Sequence, residues 1–315
     1  YIVTNLLLEL SEILIDGLTS SLDTVCCHAV GSGNYRLAGQ YVQIATVSYV
    51  ALCIPVMGVW WFVMGDCIRL FQLDEEVVRI GVEYTKIAIF HYLLEGVFDG
   101  YTTLLDISGY ALPATMFDIV WSFLDLATTW LCLHFIGDFD LFWVGVGQVV
   151  VAVLCYILFT CIAVFSGWLD PYWRGMFGSN GFKNTMAVRN IIETSIPLSI
   201  GSFLEYGEWE VLTFFAVALG PAEMAAWGIL ESIWDIFEAA TEGFSEAGSM
   251  RLAFHLGRGN IKDSKRTTAK SLFMSTCLAI FISSIFFICG DDLSTWYTDD
   301  ETLQGMVNDV ISLVG

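Results

Sequence analysis

The chemistry-bearing residues of this chain are carboxylates, and they recur at helical spacing. Glu231, Asp235, Glu238, Glu242 and Glu246 step by four, three, four and four, which draws one stripe along a helix. Glu9, Glu12, Asp16 and Asp23 make a second stripe, and Glu95, Asp99 and Asp106 a third. Asp118, Asp125, Glu205, Glu208 and Glu210 complete the set. A row of carboxylates attracts cations, and where like charges crowd together some must hold protons near neutral pH. That chemistry suits the exchange of protons for cations. No metal-ligand spacing or nucleophile motif falls on the acid-bearing faces, so the residues argue against an enzyme and call for no metal and no cofactor. His28, His91, His134 and His255 are scattered and read as interfacial or packing residues.

The elements that position these acids are apolar and long. Hydrophobic residues make up 56% of the chain and charged residues 15%, against about a quarter charged in soluble domains. No charged residue lies between Arg36 and Asp66, or between Asp140 and Asp170, and Leu272 to Gly290 is a third such run. A helix of about 20 apolar residues crosses a bilayer, so the expected class is all-α and polytopic. Solvated acidic faces of a soluble protein would not leave these uncharged runs. Eight full spans are expected: 2–30, 37–65 with Pro55 inside, 77–105, 113–136, 141–165, 191–219 with Pro197 near its start, 222–249 and 271–290, with a ninth opening after Asp300. The polar stretch 166–189 reads as a surface connector. The nine cysteines lack framework spacing and mostly sit in apolar stretches, as small hydrophobes do.

Charge sets the orientation. Alternate loops hold 10 of the 13 Lys and Arg residues, from Arg36 through Arg174, Lys183 and Arg189 to the cluster Arg251–Lys270. The opposite loops hold only Arg69, Arg79 and Lys86, so the basic loops are expected on the cytoplasmic side. A carboxylate facing lipid costs several kcal/mol, which turns the acid stripes toward a watery interior. The second, fifth and eighth spans carry no acids and are expected to face lipid. With no Lys or Arg placed deep in the acid-bearing spans, internal ion pairing is not expected.

An offset of 226 residues lays the first span on the seventh. Glu9, Glu12 and Asp16 fall on Asp235, Glu238 and Glu242; Gly17 falls on Gly243; Gly31, Gly33 and Asn34 fall on Gly257, Gly259 and Asn260; Asp74 and Glu75 fall on Asp300 and Glu301. Copies that begin six spans apart share one orientation, which describes a parallel repeat. The offset implies a complete protein of two six-helix bundles, twelve helices in all. On this reading 1–166 is an N-terminal bundle lacking its first helix, 167–190 a cytoplasmic connector, and 191–315 a C-terminal bundle truncated in its fourth helix. The sequence reads as a piece of that longer chain.

Three stretches, in order, resemble one family. Ser21-Leu22-Asp23-Thr24-Val25-Cys26 leading to Gly31-Ser32-Gly33-Asn34-Tyr35-Arg36 is similar to a helix end and loop of multidrug and toxic compound extrusion (MATE) transporters. Leu204-Glu205-Tyr206-Gly207-Glu208-Trp209-Glu210 resembles a helix motif of the eukaryotic branch, in which Leu-Glu-Trp-Trp precedes a second Glu. Gly243-Phe244-Ser245 through Met250-Arg251 to Gly257-Arg258-Gly259-Asn260 resembles the end of the following helix. Tyr206-Gly207 departs from the paired tryptophans, and Trp227 stands where a His is common.

The resemblance implies a secondary active antiporter that exports organic cations, drugs or metabolites in exchange for protons, with sodium as the alternative ion. It carries proton and substrate binding onto Glu205 and Glu210. The residues add Asp235, Glu238, Glu242, Glu12 and Asp16 as candidates in the same cavity. The expected partners are a small cationic substrate, the coupling ion and the lipid bilayer, with no nucleic acid and a monomeric state. Plasma and vacuolar membranes both remain open. A flippase of the same superfamily acting on anionic lipid-linked substrates would need Lys or Arg in its cavity. A cation channel could also use acidic rings, although a fused duplication suits alternating access better.

Overall fold

The computed structural model describes residues 2–70, 75–135 and 141–314; the side chains of some helical residues, Glu9, Glu12, Asp16, Glu205 and Glu210 among them, lie outside the description. The described residues form ten α-helices: α1 (Ile2–Gly31), α2 (Tyr35–Leu70), α3 (Glu75–Leu105), α4 (Ala111–Phe135), α5 (Leu141–Phe165), α6 (Asp170–Met176), α7 (Thr185–Leu219), α8 (Pro221–Gly257), α9 (Ile261–Leu293) and α10 (Glu301–Val314). Four stretches are long and apolar enough to cross a membrane by composition alone: 35–69, 75–134, 141–165 and 261–286. The second of these is two helices, because Asp106–Tyr110 forms a π-turn in which Gly109 takes φ +89°. The helices α1, α7 and α8 run 30, 35 and 37 residues, long enough to span, and their acids lower their apolarity.

Several helices outrun the expected spans. The helix α7 starts at Thr185 and α9 at Ile261, ahead of the expected 191 and 271. The added turns of α9 carry Lys262, Lys265, Arg266 and Lys270, good helix formers that need no apolar surroundings. Hydropathy marks the bilayer; the helix itself continues into the headgroup region and water.

The chain divides into two compact units, 1–207 and 208–315. In the first, α2 packs against α1, α3 and α6, and α5 against α3 and α4. Its layers are filled by Leu8, Met64, Ile68, Tyr84 and Ile89 at one level, and by Phe98, Leu105, Ala114, Phe159 and Leu169 at another. In the second unit α8, α9 and α10 enclose Ala226, Leu230, Ile233, Phe286, Leu293 and Val307. Large apolar side chains cover the outer faces of α2 (Leu52, Ile54, Phe62), α5 (Leu154, Ile157, Leu158) and α9 (Phe273, Phe281, Ile288), as expected of lipid-facing helices. The helix α4 does the same with Phe123 and Leu126 despite carrying Asp118 and Asp125, because its acids sit on one flank only.

The turns after α1 and α8 are copies of one another at the offset of 226. Asn34 N donates to Ala29 O at 2.8 Å and Gly33 N to Val30 O at 2.9 Å; Asn260 N donates to His255 O at 2.9 Å and Gly259 N to Leu256 O at 2.9 Å. This is a Schellman closure, which needs a left-handed residue, and Gly33 and Gly259 supply it at φ +76° and +70°. Each asparagine then caps the next helix, its Oδ1 accepting from Leu37 N or Asp263 N at 3.1 Å. The starts of α3 and α10, Glu75 and Glu301, are also 226 apart.

The connector is fastened to α2. Gln43 Nε2 donates to Met176 O at 2.8 Å while its Oε1 accepts from Gly181 N at 2.6 Å. Gln40 Nε2 donates to Ser179 Oγ at 3.0 Å, and its Oε1 accepts from Asn184 Nδ2 at 3.1 Å. Gly39 of α2 and Gly175 of α6 bring the two backbones into contact; a Cβ at Gly175 would collide with Arg36 O. Tyr172, beneath this crossing, is held by a hydrogen bond with the Ser108 hydroxyl, and burial pushes its own hydroxyl above the usual tyrosine range.

Candidate functional site

The α8 acid stripe is one continuous face in the structure, because α8 is unbroken from Pro221 to Gly257. Its packed residues are Ala226, Leu230, Ile233 and Phe237, with the Phe237 ring 4.8 Å from that of Phe286 on α9. At about 100° per residue, that packed face lies roughly 150° around the helix from the acids. Asp235, Glu242 and Glu246 are exposed, and Glu231 and Glu238 are half-buried. No Lys, Arg or His occurs on α8 before Arg251. Packing within this unit therefore consumes the apolar face and turns the carboxylates the other way.

Glu205 and Glu210 both lie on α7, helical throughout this region, but their side chains fall outside the described residues, as do those of Glu12 and Asp16. The geometry thus speaks for Asp235, Glu238 and Glu242 among the expected site residues. Among the described residues no group of His, Cys, Asp and Glu is arranged to hold a metal ion.

Two groupings were not foreseen. In the first unit, His91 Nδ1 lies 3.6 Å from Glu95 Oε2, one helical turn away. The contact is an ion pair only with a protonated imidazole, and it involves neither Lys nor Arg. The His91 ring stacks on Trp121, which stacks on Tyr156, which stacks on Phe98. Nearby, Gln148 Nε2 donates to Asp125 Oδ2 at 3.3 Å, and Asp125 Oδ1 is buried without a donor among the described residues. Lys86, eleven residues into α3, places its ammonium 5.6 Å from the centre of the Trp61 ring, an amphipathic side chain reaching along its neighbour. The spacing His91–Glu95 was a readable signal; the stack across α3, α4 and α5 was not.

The second grouping is aromatic and lies in the second unit. The Trp209 ring sits 5.3 Å from Trp227 and 5.6 Å from Trp234, at 35° and 30° to them. Trp227 Nε1 donates to Thr213 Oγ1 at 2.7 Å, which fixes that ring. Trp234 Nε1 is buried with no acceptor among the described residues.

Long apolar helices, with the carboxylate row of α8 turned off the face that packs, define a polytopic α-helical membrane protein. The MatE family model matches residues 1–131 and 197–315, and the chain belongs to that family. It is 24% identical over 312 residues to an uncharacterized transporter of Schizosaccharomyces pombe, covering 96% of this chain and 55% of that protein. It is 23% identical over 313 residues to multidrug and toxin extrusion protein 1 of Homo sapiens, covering 94% of this chain and 51% of the relative. The chain spans about half the length of the curated relatives it matches. Among solved structures, a eukaryotic MATE transporter superposes with a TM-score of 0.87 at 18% identity, over 99% of this chain and 69% of the other. A MOP superfamily transporter from Pyrococcus furiosus, described as having a binding pocket of reverse polarity, gives 0.81 at 13% identity, over 98% and 69%. These likenesses show the fold. The chain is an α-helical, membrane-integral member of the MatE family.

Proposed function

We propose that the protein containing this chain is a secondary antiporter that exports small organic cations in exchange for protons. The observation that carries this reading is the α8 acid row, free of basic residues and turned away from the face that packs. Relatives named for multidrug and toxin extrusion support the same direction. Glu205 is assigned the proton exchange, with Glu210 assisting, because both are mid-helix acids on α7 and match the family motif. Asp235, Glu238 and Glu242 hold the cation along its path, and Glu12 and Asp16 are their counterparts in the other repeat. An ionised carboxylate attracts the substrate, and protonation removes that attraction and lets it leave. A ligand shifts a two-state equilibrium only by binding the two states differently, and this change of charge supplies the difference. Protons rather than sodium are the proposed coupling ion, and the working unit is a monomer.

The test is flux by the full-length protein in proteoliposomes under proton and sodium gradients imposed separately. Glu205→Gln is expected to abolish proton-driven export while the protein stays folded and inserted. Glu208→Gln, at a position without a family counterpart, is expected to keep most of it. Full proton-driven transport by Glu205→Gln would overturn the assignment, and export driven by sodium alone would overturn the choice of ion.

A further inference from the structure

We infer that the start of α9 is a docking surface for anionic phospholipids, with Lys262, Lys265, Arg266 and Lys270 gathered on the side of the helix that faces lipid. The inference is independent of the antiporter reading above. Its first observation is charge. Residues 251–270 hold six Lys and Arg against one acid, Asp263, in a chain of net charge −21. Asp263 is already engaged, its Oδ2 accepting from Asn260 Nδ2 at 2.6 Å. Among the described residues no carboxylate pairs with any of the four basic side chains, and all four are exposed.

The second observation is direction. The helix α9 is unbroken from Ile261 to Leu293. At about 100° per residue, Lys262, Arg266, Phe273 and Ile280 point within about 40° of one another, with Lys265 and Lys270 to either side. Phe273 and Ile280 are exposed apolar side chains, while the buried Ser264, Phe286 and Leu293 lie roughly on the opposite face. Arg266 stands about 10 Å along the axis from Phe273. A phospholipid whose tails lie along Phe273 and Ile280 therefore brings its phosphate level with Arg266 and Lys262. Charge that merely orients a span has no need to share its lipid-facing side.

The third observation comes from the repeat. At the offset of 226, Arg36, Gln40, Val47 and Ile54 of α2 are the counterparts of Lys262, Arg266, Phe273 and Ile280. Val47 and Ile54 are exposed like their counterparts, but Gln40 is buried under the connector, its amide bonded to Ser179 and Asn184. In the first unit protein occupies the level that the basic residues leave open in the second. A helix docked as α6 is cannot fill that level. Gly39 admits the α6 backbone at Tyr172 O, and Lys265 stands at its place in the second copy. Exposed ammonium and guanidinium groups above an apolar face suit an anionic headgroup with its tails attached. The basic side is also the expected cytoplasmic one, whose leaflet carries the anionic lipids.

The experiment is lipid binding to the full-length protein in neutral detergent micelles, followed by native mass spectrometry. The probes are dioleoylphosphatidylserine, dioleoylphosphatidylcholine and the tail-less glycerophosphoserine. The variants are Lys262→Gln/Arg266→Gln, the charge-keeping Lys262→Arg/Arg266→Lys, and Arg69→Gln/Arg79→Gln, which removes the same charge from exposed ion pairs elsewhere. One basic residue at a membrane surface gives about a fivefold preference for an anionic headgroup, less where salt screens it. Lys262→Gln/Arg266→Gln is therefore expected to weaken phosphatidylserine about tenfold and phosphatidylcholine less than about twofold. The charge-keeping variant and Arg69→Gln/Arg79→Gln should both bind the two lipids as wild type does. Retained phosphatidylcholine binding reports a folded protein in each sample. Unchanged phosphatidylserine affinity in Lys262→Gln/Arg266→Gln, equal weakening of both lipids, or an equal loss in Arg69→Gln/Arg79→Gln overturns the surface. Glycerophosphoserine binding as tightly as phosphatidylserine would assign the cluster to a soluble anion and overturn the lipid.

Discussion

Gly175 illustrates how much one missing side chain contributes. With Gly39 it lets α6 lie directly on the backbone of α2, and a methyl group there has nowhere to go because what it meets is backbone and not a mobile side-chain end. Gly175→Val is therefore expected to destabilise the first unit by about 1–3 kcal/mol. A lowered thermal midpoint in detergent, with less change for Gly201→Val in open space on α7, would be the signature; equal effects at both sites would contradict the argument. The chain contains 28 glycines, and sequence alone does not separate a crossing glycine from an idle one. His91 makes the same point: its separation from Glu95 was visible, while the ring beneath it, Trp121, belongs to another helix.

At the scale of elements, the connector is expected to behave as part of the first unit. Gln43 alone joins α2 to both Met176 and Gly181, and Gln40 adds Ser179 and Asn184. Removing the Gln43 side chain forfeits two hydrogen bonds and leaves a half-buried backbone N–H in need of a partner. A loss of about 1–3 kcal/mol follows. Hydrogen exchange should show it as faster exchange confined to about 176–184 in Gln43→Ala, with the exchange of α5 unchanged. Uniform acceleration along the chain would mean that the connector is not separately fastened. Composition marked this segment as polar and led to the expectation that it lies along the surface. Which helix it is fastened to depends on pairings more than 130 residues apart, which no local pattern encodes.

For the whole molecule, the charge bias makes a prediction about sidedness. The turn at Gly259 belongs to the basic set and the turn at Thr298 to the opposite set. A spaced Asn-x-Ser acceptor inserted at Thr298 is expected to be glycosylated in a eukaryotic host, and one inserted at Gly259 is not. Modification of the second and not of the first would invert the topology, and with it the cytoplasmic assignment of the connector. The same insertion pair would test the parallel orientation of the two repeats if made also at Ser32, which should match Gly259.

Much of this architecture could be read from one sequence, because a bilayer imposes simple rules. Apolar length located the helices, and α5 begins and ends at the expected residues, Leu141 and Phe165. The repeat was legible because glycine at φ > 0 and an asparagine cap are local requirements, and both copies spell them identically. The acid stripe on α8 was legible because helical periodicity is local too. Tertiary structure alone decided which face of α8 is consumed by packing, which glycines are crossings, and that three tryptophans from two helices share one cluster. Those facts depend on contacts between segments distant in the chain, where a side chain's meaning is set by the surface it meets and not by its own neighbours in sequence.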